Sequence, residues 1–386
     1  MAALDVGQQP ARLQALPAED TAAVCRRASQ LHVQADAPGR RPGRARRAGA
    51  PVSGGRVPNT LRVDCIADDI RQVRDEDALA EALVHADVHG IPATIIGGGS
   101  NLVLRSRLPG VAIVVGLRGI AFERLGDDDW RVAAAAGETW QTVVDGALER
   151  EVGGLENLTL IPGSVGAAPV QNIGAYGREL AKFVESVTVF DRQRQCYRNL
   201  SAVDCAFGYR DSVFKRDATH RQVIVRVALR LGGTGLVTDY PDVARELGAR
   251  RATLGRRAVA DAVARIRRRK LPDPGRIGNV GSFFKNPVVG AAQLDHIRAL
   301  IDIDDYPAPS GRGGRKIPAA RLIDAAGWKG VRRGRVQVWP DQPLVLVNLG
   351  GATGREVLDV AARIRDDVQR RYGVALEIEP AVLGAD

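Results

Sequence analysis

The stretch Ala93-Thr94-Ile95-Ile96-Gly97-Gly98-Gly99-Ser100-Asn101-Leu102-Val103-Leu104 decides the fold class. Its β-branched start reads as a strand. Three glycines then let the backbone turn tightly and present N–H groups as a nest for anionic oxygens. A dinucleotide fingerprint of the doubly wound kind needs a helix directly after the glycines. Here Leu102, Val103 and Leu104 continue in β-type residues. The loop therefore suits a diphosphate held between strands, and a purely structural glycine turn is an equal reading of these residues alone.

Working outward, residues 75–89 carry Leu79, Ala82, Leu83 and Ala86 at helical spacing. Strands are expected at 111–117 and 131–137, then a helix from Thr139. Two further strands are expected at 184–191 and 221–231. Helices follow at 256–269 and 316–327, and LVLVNLG reads as a strand. Thr353-Gly354-Arg355-Glu356 is a capping box opening a helix with Val357, Val360, Ala361, Ile364 and Val368 inward. The chain closes on VALEIE, read as a strand. Strands and helices mix without regular βαβ alternation, so the expected class is α+β.

Residues 1–56 differ from the rest. They hold nine arginines against four acidic residues, half of the chain's formal excess of +10. Residues 37–56 are Pro-, Gly-, Ala- and Arg-rich without apolar periodicity, so the segment reads as a basic extension unable to build a core, with at most a weak helix at 11–35. The charge of the remaining chain is modest, and no nucleic-acid partner is expected. No run of about 18 apolar residues and no secretory signal is visible, so the expectation is a cytoplasmic protein without membrane insertion. Cys25, Cys65, Cys196 and Cys205 form no C-x-x-C pair. No metal site is expected from them or from His85 and His89, which read as a surface pair.

Four further stretches carry chemistry. Ile161–Gly177 (IPGSVGAAPVQNIGAYG) is apolar and nearly free of large side chains, so its backbone can lie against a flat ring. Phe207-Gly208-Tyr209-Arg210-Asp211-Ser212 offers a guanidinium fork for a carboxylate, although by itself a surface salt bridge is the better reading. The basic run ending at Lys270, followed by Gly281-Ser282-Phe283-Phe284-Lys285-Asn286, combines cations for phosphates with a hydroxyl on a tight turn. Glu377 and Glu379, two apart in the terminal strand, would share one face.

In this order the stretches resemble the UDP-N-acetylenolpyruvoylglucosamine reductase (MurB) family of bacterial cell-wall synthesis, from about Pro58 to the C-terminus. The resemblance implies an FAD-binding domain of the PCMH (vanillyl-alcohol-oxidase-like) type in two subdomains over residues 58–234. A C-terminal α+β substrate-binding domain over 235–386 and an extension over 1–57 complete the chain. It implies non-covalent FAD, NADPH as co-substrate, UDP-N-acetylenolpyruvoylglucosamine as substrate, and a monomer. Arg210, Ser282 and Glu379 match the family's active-site residues. Gly97, Gly98, Gly99, Ser100 and Asn101 match its diphosphate loop. Pro162, Gly163, Ser164, Gly166, Ala167, Asn172, Gly174, Ala175 and Tyr176 match the loop against the flavin. Tyr209, Tyr240, Lys270, Lys285 and Asn286 match positions facing substrate or nicotinamide nucleotide. Trp339 departs from the family, standing where many members carry His. Two other readings use the same residues: an oxidase of the same flavin fold, disfavoured because no His or Cys lies near the glycine loop, and a non-enzymatic flavin- or UDP-sugar-binding regulator.

Overall fold

The structure is a computed structural model and describes residues 53–217, 219–249, 254–308 and 313–386. Residues 1–52, with Cys25 and the weak helix expected at 11–35, lie outside the described residues. The chain opens on β1 (Ser53–Arg56), which pairs antiparallel with β2 (Ile66–Val73). Helix α1 (Glu76–Val88) follows, N-capped by the Asp75 carboxylate on Ala78 N. Next come β3 (Ala93–Ile96), β4 (Leu102–Leu104) and β5 (Arg107–Val115). Strand β5 lies parallel to both β2 and β3, giving the sheet order β1-β2-β5-β3.

A second sheet is assembled from β6 (Ile120–Gly126), β7 (Asp129–Ala135), β10 (Val184–Asp191), β11 (Cys196–Ser201) and β12 (Gln222–Leu231). Its order is β11-β10-β12-β7-β6, all antiparallel. Helix α2 (Trp140–Glu149) and the small hairpin β8 (Gly174–Ala175)/β9 (Arg178–Glu179) lie in the connection from β7 to β10. Short helix α3 (Val213–Arg216) precedes β12, and α4 (Pro241–Leu247) and α5 (Arg256–Lys270) follow it. Then β13 (Gly278–Ser282), β17 (Arg332–Arg333), β18 (Val336–Val338) and β19 (Val345–Asn348) make a sheet ordered β13-β19-β18-β17. A three-stranded patch of β14 (Val288–Val289), β15 (Tyr306–Pro307) and β16 (Arg315–Lys316) stands beside it, with α6 (Ala291–Leu300) and α7 (Ala319–Ala325). Helix α8 (Gly354–Tyr372) starts on the capping box read from sequence, and β20 (Ala381–Leu383) closes the chain.

Side chains along β5 divide the molecule. Val111, Ile113 and Val115 face one core, which they share with Leu79 and Leu83 of α1, Trp140 of α2, and Val189 and Val225 of the second sheet. Leu108 and Ala112 face another core with Val280, Phe283, Leu346, Val357 and Ile364. The period-2 alternation of a strand thus buries both faces of the first sheet, one against each half of the molecule.

The structure corrects four expectations. The extension read over 1–57 is too long, because Ser53–Arg56 form β1 and Val57 is buried. A linear cut at 234/235 does not follow the packing. Val243, Val259, Val263 and Ile266 of α4 and α5 pack with Tyr176, on the preceding half of the chain, and not with the C-terminal sheet. The helix expected at 316–327 begins at Ala319, after Pro318, while Lys316 belongs to β16. The terminal VALEIE is not a regular strand. Its backbone runs against Phe283–Lys285, and the strand proper is β20, parallel to β4.

Deleting residues 1–52 is expected to leave the melting temperature unchanged. Deleting 1–56 strips the pairing strand from β2 and is expected to cost on the order of 1–3 kcal/mol from lost backbone hydrogen bonds. Equal melting temperatures for both deletions, by calorimetry, would show that β1 contributes nothing.

Candidate active site

The glycine loop Gly97–Asn101 joins β3 to β4 and lines a cleft of about 1190 Å³, its open mouth included. The cleft also takes in Trp140, Pro162, Ser164, Gly166, Ala167, Gln171 and the start of β12. Two loops approach so closely here that side chains have no room. A Cβ on Gly97 would sit 2.5 Å from Ser164 Oγ, and one on Gly98 would sit 3.1 Å from the Gly163 Cα. Gly99, at φ +63°, is further fixed by the Pro58 carbonyl, 2.5 Å from where its Cβ would be. Gly163 lines an adjoining cavity with Gly97 and Gly98.

Four of the expected flavin-loop residues, Asn172, Gly174, Ala175 and Tyr176, line neither cavity. Asn172 is buried and spent on fastening the loop: its Nδ2 donates to Gly208 O (3.0 Å) and Glu179 Oε2 (3.2 Å), and its Oδ1 accepts from Ala181 N (2.8 Å). Gly174 and Ala175 form β8. Tyr176 meets Tyr240 edge-on at 5.4 Å, and its hydroxyl oxygen accepts from Arg267.

Beside the cleft, Arg210 sits in the tight turn Gly208–Asp211 at φ +53°. Its Nη2 donates to Gly174 O at 2.7 Å and its Nη1 to Asn172 O at 3.4 Å. Nε lies 3.2 Å from Glu379 Oε1, off the N–H axis, so this buried donor makes an ion pair without a hydrogen bond. The pair is no surface salt bridge, which corrects the reading of the Tyr209-Arg210 stretch. Glu379 is 8% exposed, and burial pushes its carboxyl above its ordinary value even with Arg210, Lys215 and Lys285 pulling it down. Glu377 does not share that face: its side chain is 68% exposed and holds Lys285.

Ser282 reaches the same place through the backbone. Gly281 at φ +70° and a register shift between Asn279 and Ser282 make a bulge that turns the end of β13. The amide of Glu379 donates to the carbonyl of the next residue, Phe283, at 3.0 Å, and Ala381 N donates to Asn101 O at 3.0 Å. Glu379, Ser282 and the glycine loop are therefore stitched along one short segment. The Ser282 hydroxyl has no hydrogen-bond partner among the described residues.

The remaining expected residues surround this centre. The Tyr209 ring has the Arg210 guanidinium 5.6 Å and the Lys316 ammonium 5.3 Å from its centroid. Asn286 Oδ1 accepts from Ala319 N at 3.0 Å, capping α7. Tyr240 is 37% exposed at the head of α4, and its hydroxyl is pushed up to about 12 by burial. The basic end of α5 is less free for phosphates than its sequence suggests: Lys270 pairs with Asp242 at 2.6 Å, and Arg265 and Arg269 pair with Glu246. Trp339 Nε1 is buried without a partner; its backbone N donates to Val345 O, and Val345 is registered opposite Ser282. No cluster of metal-binding type exists among the described residues.

Three residues escaped the sequence reading. His220 lines the cleft beside the glycine loop, contrary to the expectation that no His lies near it. Burial lowers its basicity. Gln222 lines the same wall with its Oε1 buried and unpartnered. Lys215 donates from Nζ to the carbonyls of Arg210 (3.2 Å) and Glu379 (3.3 Å). No local spacing signals the first two, because the fold alone brings β12 to the glycine loop. The signal for Lys215 was its place one helical turn beyond Arg210-Asp211-Ser212.

A model of the UDP-N-acetylenolpyruvoylglucosamine reductase C-terminal domain matches residues 273–383, and a model of FAD binding domains matches residues 67–195. A UDP-N-acetylenolpyruvoylglucosamine reductase of Xanthomonas axonopodis pv. citri is 45% identical over 334 residues, covering 86% of this chain and 95% of its own. One of Pseudomonas aeruginosa is 46% identical over 325 residues, covering 83% and 95%. The crystal structure of UDP-N-acetylenolpyruvylglucosamine reductase (MurB) from Thermus caldophilus superposes with a TM-score of 0.58 at 25% identity, over 86% of this chain and 99% of that one.

Proposed function

The chain belongs to the UDP-N-acetylenolpyruvoylglucosamine reductase family, and from that membership we propose that it reduces UDP-N-acetylenolpyruvoylglucosamine to UDP-N-acetylmuramate with NADPH as reductant and FAD as non-covalent carrier, in the cytoplasm. The observation that carries the reading is the largely buried Arg210–Glu379 ion pair, whose Glu379 segment is bonded through its backbone both to the turn that carries Ser282 and to the glycine loop.

The cleft fits FAD. Its two close-set loops leave no room for side chains at Gly97 and Gly98, so backbone alone meets a diphosphate there; its walls are largely apolar, and the buried Gln222 Oε1 is an unpaired acceptor. Residues 97–101 and 162–167 would hold it. Bound there, FAD supplies the two-electron relay between NADPH and the enolpyruvyl double bond.

The side chains do the rest. Hydride arriving at the β carbon of that double bond would leave negative charge on the α carbon and, by conjugation, on the neighbouring carboxylate. Arg210 offers a fixed cation to that carboxylate and is itself aimed by the Gly174 and Asn172 carbonyls. Glu379 with its raised carboxyl keeps a proton more readily than an exposed glutamate, so it opposes the developing charge less and can donate to it. Ser282 gives its hydroxyl proton to the α carbon and is reprotonated from solvent. Tyr209, Tyr240, Lys285 and Asn286 lie around this centre as substrate contacts, and Lys270 serves after leaving Asp242.

The test is anaerobic mixing of flavin-loaded protein first with NADPH and then with the enolpyruvyl substrate, followed at the flavin absorbance. Bleaching followed by recovery of the oxidised spectrum is expected. Recovery with oxygen alone, and none with the substrate, would leave an oxidase as the surviving reading.

Gly98→Val is expected to yield folded, colourless protein. The valine would force the Gly163 backbone away and fill the loop that faces the diphosphate. The ratio of flavin to protein absorbance reports the loss, and full occupancy would show that the diphosphate lies elsewhere.

A further inference from the structure

Six lysines stand among the 55 basic residues of this chain, and three of them, Lys215, Lys285 and Lys316, face the Arg210–Glu379 centre. Lys215 is placed differently from the other two. It emerges from α3, whose cap Ser212 is buried, accepts from Lys215 N at 3.3 Å, and donates to Val170 O at 2.6 Å. Its half-buried ammonium then joins its own turn to a segment 164 residues further on, donating to the Arg210 carbonyl at 3.2 Å and the Glu379 carbonyl at 3.3 Å.

We propose that Lys215 is a positioning residue for reduction of the enolpyruvyl group: its ammonium ties the turn carrying Arg210 to the segment carrying Glu379 and stands as a further charge beside that carboxylate. The inference rests on the function proposed above. The physical need is specific. The Arg210–Glu379 contact is a single off-axis approach, so by itself it sets the relative position of the two segments poorly. Two donor contacts from one ammonium fix both carbonyls at once. A compact, tetrahedral ammonium can donate to both of these carbonyls from one atom.

Its charge has a second effect. Glu379 is faced by Arg210 from the turn, Lys215 from α3 and Lys285 from the segment after β13, with Glu377 opposing from its own segment. Burial raises this carboxyl and the three cations lower it. Removing Lys215 therefore raises it further, so Glu379 keeps its proton to higher pH.

The experiment uses Lys215→Met and Lys215→Arg as flavin-loaded proteins, with the two flavin half-reactions measured across pH. Lys215→Met is expected to retain FAD and to be bleached by NADPH within about twofold of the parent. Its reoxidation by the enolpyruvyl substrate is expected to slow about 10- to 100-fold, the usual result of displacing reacting groups by a fraction of an ångström to an ångström. The alkaline limb that Glu379→Gln abolishes is expected to move to higher pH in Lys215→Met. In Lys215→Arg, which keeps the charge, it should stay in place with part of the rate restored. Equal slowing of both half-reactions, or an unmoved limb in Lys215→Met, would overturn the proposal and leave Lys215 a fold support only. If Lys215→Met does not hold flavin, Lys215→Gln carries the same comparison, and loss of flavin there too counts against the proposal. Failure of the parent itself to be reoxidised by the substrate would instead overturn the function, not the assignment of Lys215 within it.

Discussion

Arg210→Lys is expected to lower turnover about 10²- to 10³-fold while the Michaelis constant for the enolpyruvyl substrate changes far less. The guanidinium serves three directions at once: Gly174 O, Asn172 O and the Glu379 carboxylate. A lysine reaching from the same left-handed backbone has one ammonium and cannot satisfy the loop carbonyls and still face Glu379. The loop 172–174 then loses its fastening, and the charge that meets the reduced carboxylate is displaced. An interaction that strengthens only as charge develops appears in turnover rather than in binding, and losing one such donor costs roughly that factor. Steady-state kinetics on the flavin-loaded variant decides the matter. A change confined to the Michaelis constant would make Arg210 an anchor for the ground-state substrate.

Much of this site was legible because its motifs are local. The β-type residues Leu102, Val103 and Leu104 after three glycines excluded a helix there, and β4 follows the loop as read. The capping box at Thr353 and the apolar face of α8 were equally local signals. What failed depended on distant partners. The alternation of Glu377 and Glu379 assumed a free terminal strand. That segment is instead held against Phe283–Lys285 on its way to β4, so one carboxylate is buried and the other exposed. Periodicity also does not reveal that α4 and α5 return to the loop at Tyr176, which misplaced the domain boundary. His220 and Gln222 have no distinguishing neighbours in sequence, and they matter because antiparallel pairing of β12 with β7 sets the start of β12 beside Ala136 and the glycine loop. Lys215 belongs to a motif whose Arg could be read, but its function depends on a carbonyl 164 residues away.

Ser282→Ala is expected to produce the largest and most selective loss. The hydroxyl has no hydrogen-bond partner among the described residues, and the bulge that presents it is made by Gly281 and by pairing of β13 with β19. Removing the oxygen therefore takes nothing from the fold, and melting temperature and flavin content should match the parent within error. If Ser282 delivers the proton to the α carbon, it acts only in the step that consumes the enolpyruvyl group. NADPH should then bleach the flavin at close to the parent rate. Reoxidation by the substrate should slow by at least the 10²- to 10⁴-fold typical of general acid catalysis. The loss should exceed that of Lys215→Met, because a displaced donor still works at reduced efficiency and a missing one does not. Ser282→Cys should regain part of the rate, since a thiol also carries a transferable proton. Stopped-flow absorbance separates the two steps. Equal slowing of both would mean that Ser282 binds whichever ligand occupies the site, and the proton would have to come from Glu379, whose raised carboxyl makes it the next donor in reach.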